Sequence, residues 1–268
     1  MCADQLLVSR GLAASRSQAQ RLIAGGLRAL TREGWRTVGK ADELPEHTEL
    51  ALQNADESRY VSRGGLKLEA ALCNCKLDPS GLRCLDVGQS TGGFTHCLLV
   101  HGALNVLGVD VGHGQLHASL RADSRVTALE GVNMRQSDSI KTIATNPINT
   151  QTNGLNATKN APLGLFQGFD LAVGDLSFIS QTLVAPQVAA LLKPNAHVLM
   201  LVKPQFELQP AHISKGGLVK DPALYAQVQM RVCEAWQALG FELCNYLPSP
   251  ILGGDGNTEF FIHCRKTA

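Results

Sequence analysis

The sequence predicts an α/β protein, a mostly parallel sheet flanked by helices and preceded by a small α+β segment. Three observations carry this. Apolar runs of strand length alternate with helical patterns from about residue 66 onward, as in a parallel sheet covered on both faces. The first run, Arg83-Cys84-Leu85-Asp86-Val87, leads through Gly88-Gln89-Ser90-Thr91-Gly92-Gly93 directly into a helix, the strand-loop-helix unit of nucleotide-binding sheets. Residues 1 to 58 differ in character, with short helices, polar strands and a cluster of arginines.

In chain order, Leu6-Leu7-Val8 opens a short helical pattern. Ser15-Arg16-Ser17-Gln18 reads as the cap of a helix over Ala19 to Ala24, which Gly25-Gly26 ends. Short strands follow at Trp35 to Val38 and Thr48 to Leu52. Up to residue 40 the bases are Arg10, Arg16, Arg21, Arg28, Arg32, Arg36 and Lys40, against Asp4 and Glu33. Such a cluster is a phosphate-binding face or a solvated helix surface, and charge alone does not separate the two. A connector at 54–59 leads into an amphipathic helix from Leu66.

The large domain, 59–268, has expected strands at Arg83 to Val87, Asn105 to Val109, Arg125 to Val132, Phe169 to Gly174 and His197 to Val202. An edge hairpin is expected from Phe241 to Leu247 and Glu259 to Cys264. The helix after the glycine loop spans Phe94 to His101. Residues 141–168 are rich in Asn, Thr, Gln and Gly and read as an exposed insertion.

The chain has 268 residues, 44% hydrophobic, with formal net charge +1. That suffices for one large domain and one small one, and it excludes a globally basic nucleic-acid binder, so RNA contact has to come from local patches. The eight cysteines show no paired Cys-x-x-Cys units, and they read as reduced thiols. No metal site is expected, since His113 and His117 lack a third ligand nearby. With no signal-peptide pattern and no apolar run of about 20 residues, the expectation is a cytoplasmic protein without membrane attachment.

Ligands of such sheets sit beyond the carboxyl ends of the strands. Asp110 ends the second strand, twenty residues after Ser90, where an acid can accept from a ribose hydroxyl pair or cap the next helix. Asn133 follows the third strand, placed for an adenine amino group, although Asn is also common in turns. Asp175 and Lys203 end the fourth and fifth strands. A lysine leaving an apolar strand meets water or a partner, and burial makes its neutral, basic form easier to reach. Glu259 begins the last strand, and Lys67 lies on the helix before the first.

From Tyr60 onward the chain resembles the TlyA (hemolysin A) family, relatives of the FtsJ-type ribose 2′-O-methyltransferases. The likeness rests on Ser62-Arg63-Gly64-Gly65-Leu66-Lys67-Leu68, the stretch Asp86 to Thr95, Val109-Asp110-Val111-Gly112-His113-Gly114-Gln115-Leu116, Gly174-Asp175-Leu176-Ser177-Phe178-Ile179-Ser180, Leu201-Val202-Lys203-Pro204-Gln205-Phe206-Glu207 and Lys215 to Asp221. Leu6 to Ala13 with Ser15 to Ile23 resembles the small RNA-binding domain of the ribosomal protein S-four type. Gln89 stands where the family has a smaller residue, and His96 where it has an acid.

The resemblance implies a Rossmann-like methyltransferase domain using S-adenosylmethionine, with Asp86, Gly88, Ser90, Gly92, Gly93, Phe94, Asp110, Asn133 and Asp175 around the cofactor. It implies a catalytic tetrad of Lys67, Asp175, Lys203 and Glu259. RNA contacts fall to Arg10, Arg16, Arg21 and Arg63, with ribosomal RNA within ribosomal subunits as partner. Three alternatives remain at this point: a non-catalytic RNA-binding assembly factor, a membrane-active hemolysin, and a small-molecule methyltransferase.

Overall fold

The computed structural model describes residues 1–13, 16–52, 59–136, 138 and 168–268, with the side chains of Ser17, Arg21 and Leu52 excepted. The expected insertion is therefore outside the described residues apart from Gly168, and so are Ser15 of the expected helix cap and most of the 54–59 connector. The chain divides into two compact units, Met1–Leu66 and Lys67–Ala268. The division falls later than the boundary expected at 58/59. Tyr60 is buried against Gly65, where an added Cβ would lie 2.3 Å from the tyrosine ring.

The first unit holds α1 (Ala3–Ser9), α2 (Arg16–Ala24) and an antiparallel sheet of β1 (Leu27–Thr31), β2 (Gly34–Thr37) and β3 (Leu50–Leu52) in the order β2-β1-β3. The central strand β1 was not expected from sequence. It forms because Leu27 and Ala29 alternate into a core with Leu6, Leu7, Leu22 and Ile23. Gly26, at φ 99°, makes the turn that feeds it.

The second unit is built on a seven-stranded sheet. Its strands are β4 (Arg83–Val87), β5 (Asn105–Asp110), β6 (Val126–Glu130), β7 (Phe169–Gly174), β8 (Leu192–Val202), β9 (Phe241–Pro248) and β10 (Phe260–Lys266), in the order β6-β5-β4-β7-β8-β10-β9. The first five are mutually parallel, and β10 runs antiparallel to both neighbours as the expected hairpin. Near-continuous burial along β4, β5, β7 and the second half of β8 fits a sheet covered on both faces. β8 begins earlier than expected, but it pairs regularly with β7 only from His197. The residues before that bulge outward around Asn195, at φ 64°. β6 stops short of Val132 because Gly131, at φ 72°, turns the chain.

The helices of this unit are α3 (Gly64–Cys75, which begins in the first unit), α4 (Gly93–Val100), α5 (Ala118–Arg121), α6 (Ala185–Leu191), α7 (Pro204–Glu207) and α8 (Leu224–Gln237). Val228, Val232 and Trp236 of α8 and Val188 of α6 pack with Val198, Met200, Val202 and Ile262 from the sheet. The chain leaves β4 toward β5 and β6, then returns to β7 on the other side of β4. This reversal opens a crevice at the strand ends, where α/β sheets bind their ligands.

Candidate active site

The crevice is a cleft of about 390 Å³, large enough for a nucleoside-sized ligand. Val87, Gly88 and Ser90 line it from β4, Val109, Asp110 and Gln115 from β5 and its following loop, Val132, Asn133 and Met134 after β6, and Asp175 to Ile179 after β7. Gly88, at φ 82°, crosses the switch point so closely that a Cβ there would lie 3.0 Å from the Asp175 carbonyl oxygen. Any side chain at 88 would be both strained and obstructed.

Asp110 organises the loop. Its Oδ2 accepts from Ser90 N–H at 2.8 Å and its Oδ1 from Gly112 N–H at 2.7 Å. Each carboxylate oxygen retains a second lone-pair direction for a ligand hydroxyl. Asn133 lines the cleft and also accepts from Arg135 N–H at 3.0 Å.

Of the nine residues expected around a cofactor, Gly88, Ser90, Asp110, Asn133 and Asp175 line the cleft, and Asp86, Gly92, Gly93 and Phe94 do not. Gly92, at φ 92°, caps α4, and a Cβ on it would strike Leu120 and Leu116. Phe94 is buried and stacks on Phe261. Asp86 lies beneath the loop, 1% exposed, its Oδ2 accepting from the Thr95 hydroxyl at 2.6 Å and its Oδ1 without a partner among the described residues. Sequence reasoning missed the apolar wall of Val132, Met134, Leu176 and Ile179. Their only signal was position just after a strand.

Burial pushes the Asp86 carboxyl up to about 7; the Thr95 hydroxyl opposes this, and the charges of Asp175 and Asp110 reinforce it. A carboxyl raised by folding binds its proton more tightly in the native than in the unfolded state, so native stability falls as pH rises from about 3.8 to about 7. Asp86→Asn removes this dependence. In urea denaturation without cofactor, the wild type should lose stability relative to the variant across that window. Above it the difference should level off.

The four residues expected as a tetrad form two ion pairs, and Asp175 of one pair lines the cleft. Lys67 Nζ lies 2.5 Å from Glu259 Oε2, with both side chains nearly excluded from water. Lys203 Nζ lies 2.6 Å from Asp175 Oδ1 and donates a directed hydrogen bond to Ser177 Oγ at 2.9 Å. Burial raises the Glu259 carboxyl; Lys67 and Lys203 oppose this, and Asp175 adds to it, so the carboxyl at Glu259 senses the other three charges. Lys203 is held by the sheet itself: Val202 pairs with Phe260 across β8 and β10, and Pro204 starts α7 immediately after the lysine.

Phe178 completes this edge. It is 90% exposed, sits at φ 64°, and its ring lies 5.1 Å from that of Phe206, three residues beyond Lys203. A bulky residue held in the left-handed region with its ring in water costs stability twice over, a pattern that concentrates at binding sites.

Among the basic residues of the first unit, Arg16 donates twice to the buried Asp4, at 3.0 and 2.9 Å, and holds that carboxyl below its ordinary value. Arg10 donates to the carbonyls of Thr48 and Glu46. Both have structural partners besides any phosphate. The Arg21 side chain is outside the described residues, and Arg63 immediately precedes α3. None of the eight cysteines forms a disulfide, and no described group of three His, Cys, Asp or Glu side chains could hold a metal.

A model of the FtsJ-like methyltransferase family matches residues 60–266. The chain belongs to that family. It is 39% identical to the 16S/23S rRNA (cytidine-2′-O)-methyltransferase TlyA of Mycobacterium tuberculosis, over 98% of this chain and 88% of that one. It is 34% identical to hemolysin A of Brachyspira hyodysenteriae, over 97% and 98%. Among solved structures, a hemolysin candidate of Streptococcus thermophilus superposes with TM-score 0.69 at 34% identity, covering 100% of this chain and 88% of that one.

FtsJ-like methyltransferases use S-adenosylmethionine, and the cleft fits it. Asp110 would be placed to accept from a ribose diol, and Asn133 with the walls of Val132, Met134 and Ile179 would suit a flat adenine. The glycine at 88 leaves backbone rather than side chain facing the ligand. No described helix is long and apolar enough to cross a membrane.

Proposed function

We propose that this protein methylates a ribose 2′-hydroxyl of ribosomal RNA, with Lys203 as the base and the tetrad as its support. The observation that carries this is the Lys203–Asp175 pair, whose aspartate lines the cofactor cleft, in a chain 39% identical to a ribosomal RNA 2′-O-methyltransferase over nearly its whole length.

When bound, S-adenosylmethionine supplies an electrophilic methyl group on a sulfonium. A ribose hydroxyl is a weak nucleophile, so Lys203 is given the task of accepting its proton as the oxygen takes the methyl group and the sulfonium becomes a thioether. Asp175 and Ser177 fix the direction of that amine. Lys67 and Glu259, locked together at the same edge, position the ribose and hold their charges in place. Alignment of the hydroxyl with the methyl supplies a large part of the acceleration. The exposed Phe178 offers a ring on which a base unstacked from the RNA can rest, as single-stranded RNA recognition commonly uses.

A Met1–Leu66 unit with two helices, a three-stranded sheet and clustered arginines supports the reading of the first unit as an RNA-binding domain of the ribosomal protein S-four type. The alternative of a membrane-active protein finds no spanning helix among the described residues to rest on. With ribosomal RNA as substrate, the protein works in the cytoplasm. If Arg10, Arg16 and Arg21 each neutralise one phosphate, RNA affinity falls steeply with salt. Substituting all three by glutamine should then lower the slope of log affinity against log salt by about 2 to 3. Filter binding of ribosomal RNA across a salt series measures this, and an unchanged slope counts against the assignment.

The function itself is tested with purified protein, isotopically methyl-labelled S-adenosylmethionine and undermethylated ribosomal subunits. Label in the RNA is the expected result. Label absent from RNA of both subunits, with the protein folded and binding cofactor, would leave the assembly-factor reading in its place.

A further inference from the structure

Gln89 sits in the middle of the cofactor loop yet faces away from the cleft, 5% exposed. Its Nε2 donates to Thr95 Oγ1 at 2.9 Å, and Thr95, fully buried on α4, donates that hydroxyl to Asp86 Oδ2 at 2.6 Å. The three side chains form a buried relay running from the loop through the helix to the end of β4. Its seat is shaped for it: at Gly108, in the middle of β5, an added Cβ would fall 1.9 Å from Gln89 Cδ. Only glycine at 108 leaves room for the amide.

The next residue gives the relay its consequence. Ser90 takes φ 47°, uncommon for a residue with a Cβ, and in that conformation its N–H reaches Asp110 Oδ2 while its hydroxyl reaches Gln115 Oε1 at 3.1 Å. A strained backbone persists only where its surroundings over-determine it. Gln89, anchored one residue earlier, supplies that determination.

We propose that Gln89 is a positioning residue for the cofactor. Through Thr95 and Asp86 it fixes the loop so that Ser90 holds Asp110 in place for the ribose diol. A space-filling role would need only the volume of the side chain. A positioning role needs the donor on Nε2, because without it the buried Thr95 oxygen loses a partner and the loop loses its tether.

Two variants separate these. Gln89→Met keeps length and volume but removes the donor. Gln89→Glu keeps the shape and donates only when protonated, within the field of Asp86 on β4, Asp110 on β5 and Asp175 after β7, with His96 and Cys97 on α4 and Cys84 on β4 as further titratable groups of the packed elements. The full-length protein is measured by calorimetry with S-adenosylhomocysteine and by steady-state methyl transfer. Gln89→Met should weaken S-adenosylhomocysteine binding and raise KM for S-adenosylmethionine by about tenfold, the size expected for one buried hydrogen bond, while kcat stays within about twofold. Gln89→Glu should bind nearly as the wild type at acid pH and weaken progressively as pH rises. Gly108→Ala, if it folds, should match Gln89→Met, and adding it to Gln89→Ala should cost little more than Gln89→Ala alone. The inference rests on the cofactor reading of the cleft, and wild-type binding of S-adenosylhomocysteine separates the two. No binding by the wild type sinks that reading. Wild-type binding with an unchanged Gln89→Met affinity, or a Gln89→Glu affinity independent of pH, overturns the role given to Gln89 alone.

Discussion

Lys203→Ala should lower methyl transfer to ribosomal RNA by about two to four orders of magnitude, the range for removing a general base, while S-adenosylhomocysteine binds as before. The cofactor cleft is lined by Asp175 and not by Lys203, so the loss should appear in kcat and leave cofactor affinity alone. Asp175, about one-third exposed, can exchange its lost partner for water, so the variant should remain folded. Lys203→Arg makes the sharper comparison. A guanidinium keeps the positive charge beside Asp175 but does not release a proton under these conditions, so it cannot serve as a base. If Lys203 only balances charge, the arginine variant works; if Lys203 takes the proton, it fails as the alanine variant does. Single-turnover methyl transfer on both proteins, at saturating cofactor, decides between these.

Lys67→Met should cost about 3 to 5 kcal/mol of stability as well as activity. Lys67 and Glu259 are both buried, and removing the ammonium strands a carboxylate whose proton affinity burial already raises. The partner substitution shows whether the cost is that of a stranded charge. Lys67→Met combined with Glu259→Gln should recover a large part of the stability lost in the single variant, and none of the activity. Urea denaturation reads the first quantity and methyl transfer the second. Equal losses in the single and double variants would mean that the pair stabilises by packing and not by charge.

The sheet was legible because its strands are apolar runs that end in chemistry: Asp86, Asp110, Asp175 and Lys203 each stand at or just past the end of one. Strand-end placement put Asp175 and Lys203 at one edge with Lys67 and Glu259, but the grouping of the four as a tetrad came from resemblance to a family and not from any periodicity. Depth was not legible. Asp86 and Ser90 occupy one short motif, yet Asp86 is beneath the loop and Ser90 lines the cleft. An alternating or continuous apolar pattern tells which face is covered, not how far a loop rises above it. The same limit hid the relay through Gln89, since its receptor is a glycine nineteen residues away on the neighbouring strand. Phe178 read as an ordinary apolar residue of a motif, because its left-handed backbone and exposed ring belong to tertiary structure alone. Strand β1 was missed for a different reason: three-residue alternation in Leu27-Arg28-Ala29 is too short to separate from helix without the core that it packs on.

The most direct test of the account concerns the atom that receives the methyl group. Ribosomal RNA labelled by the protein is digested to completion with alkali, which cleaves through the neighbouring 2′-hydroxyl. The account predicts that the label emerges in alkali-resistant dinucleotides, because a methylated ribose oxygen can no longer attack its phosphate. Label recovered entirely in mononucleotides would place the methyl on a base and contradict the role given to Lys203.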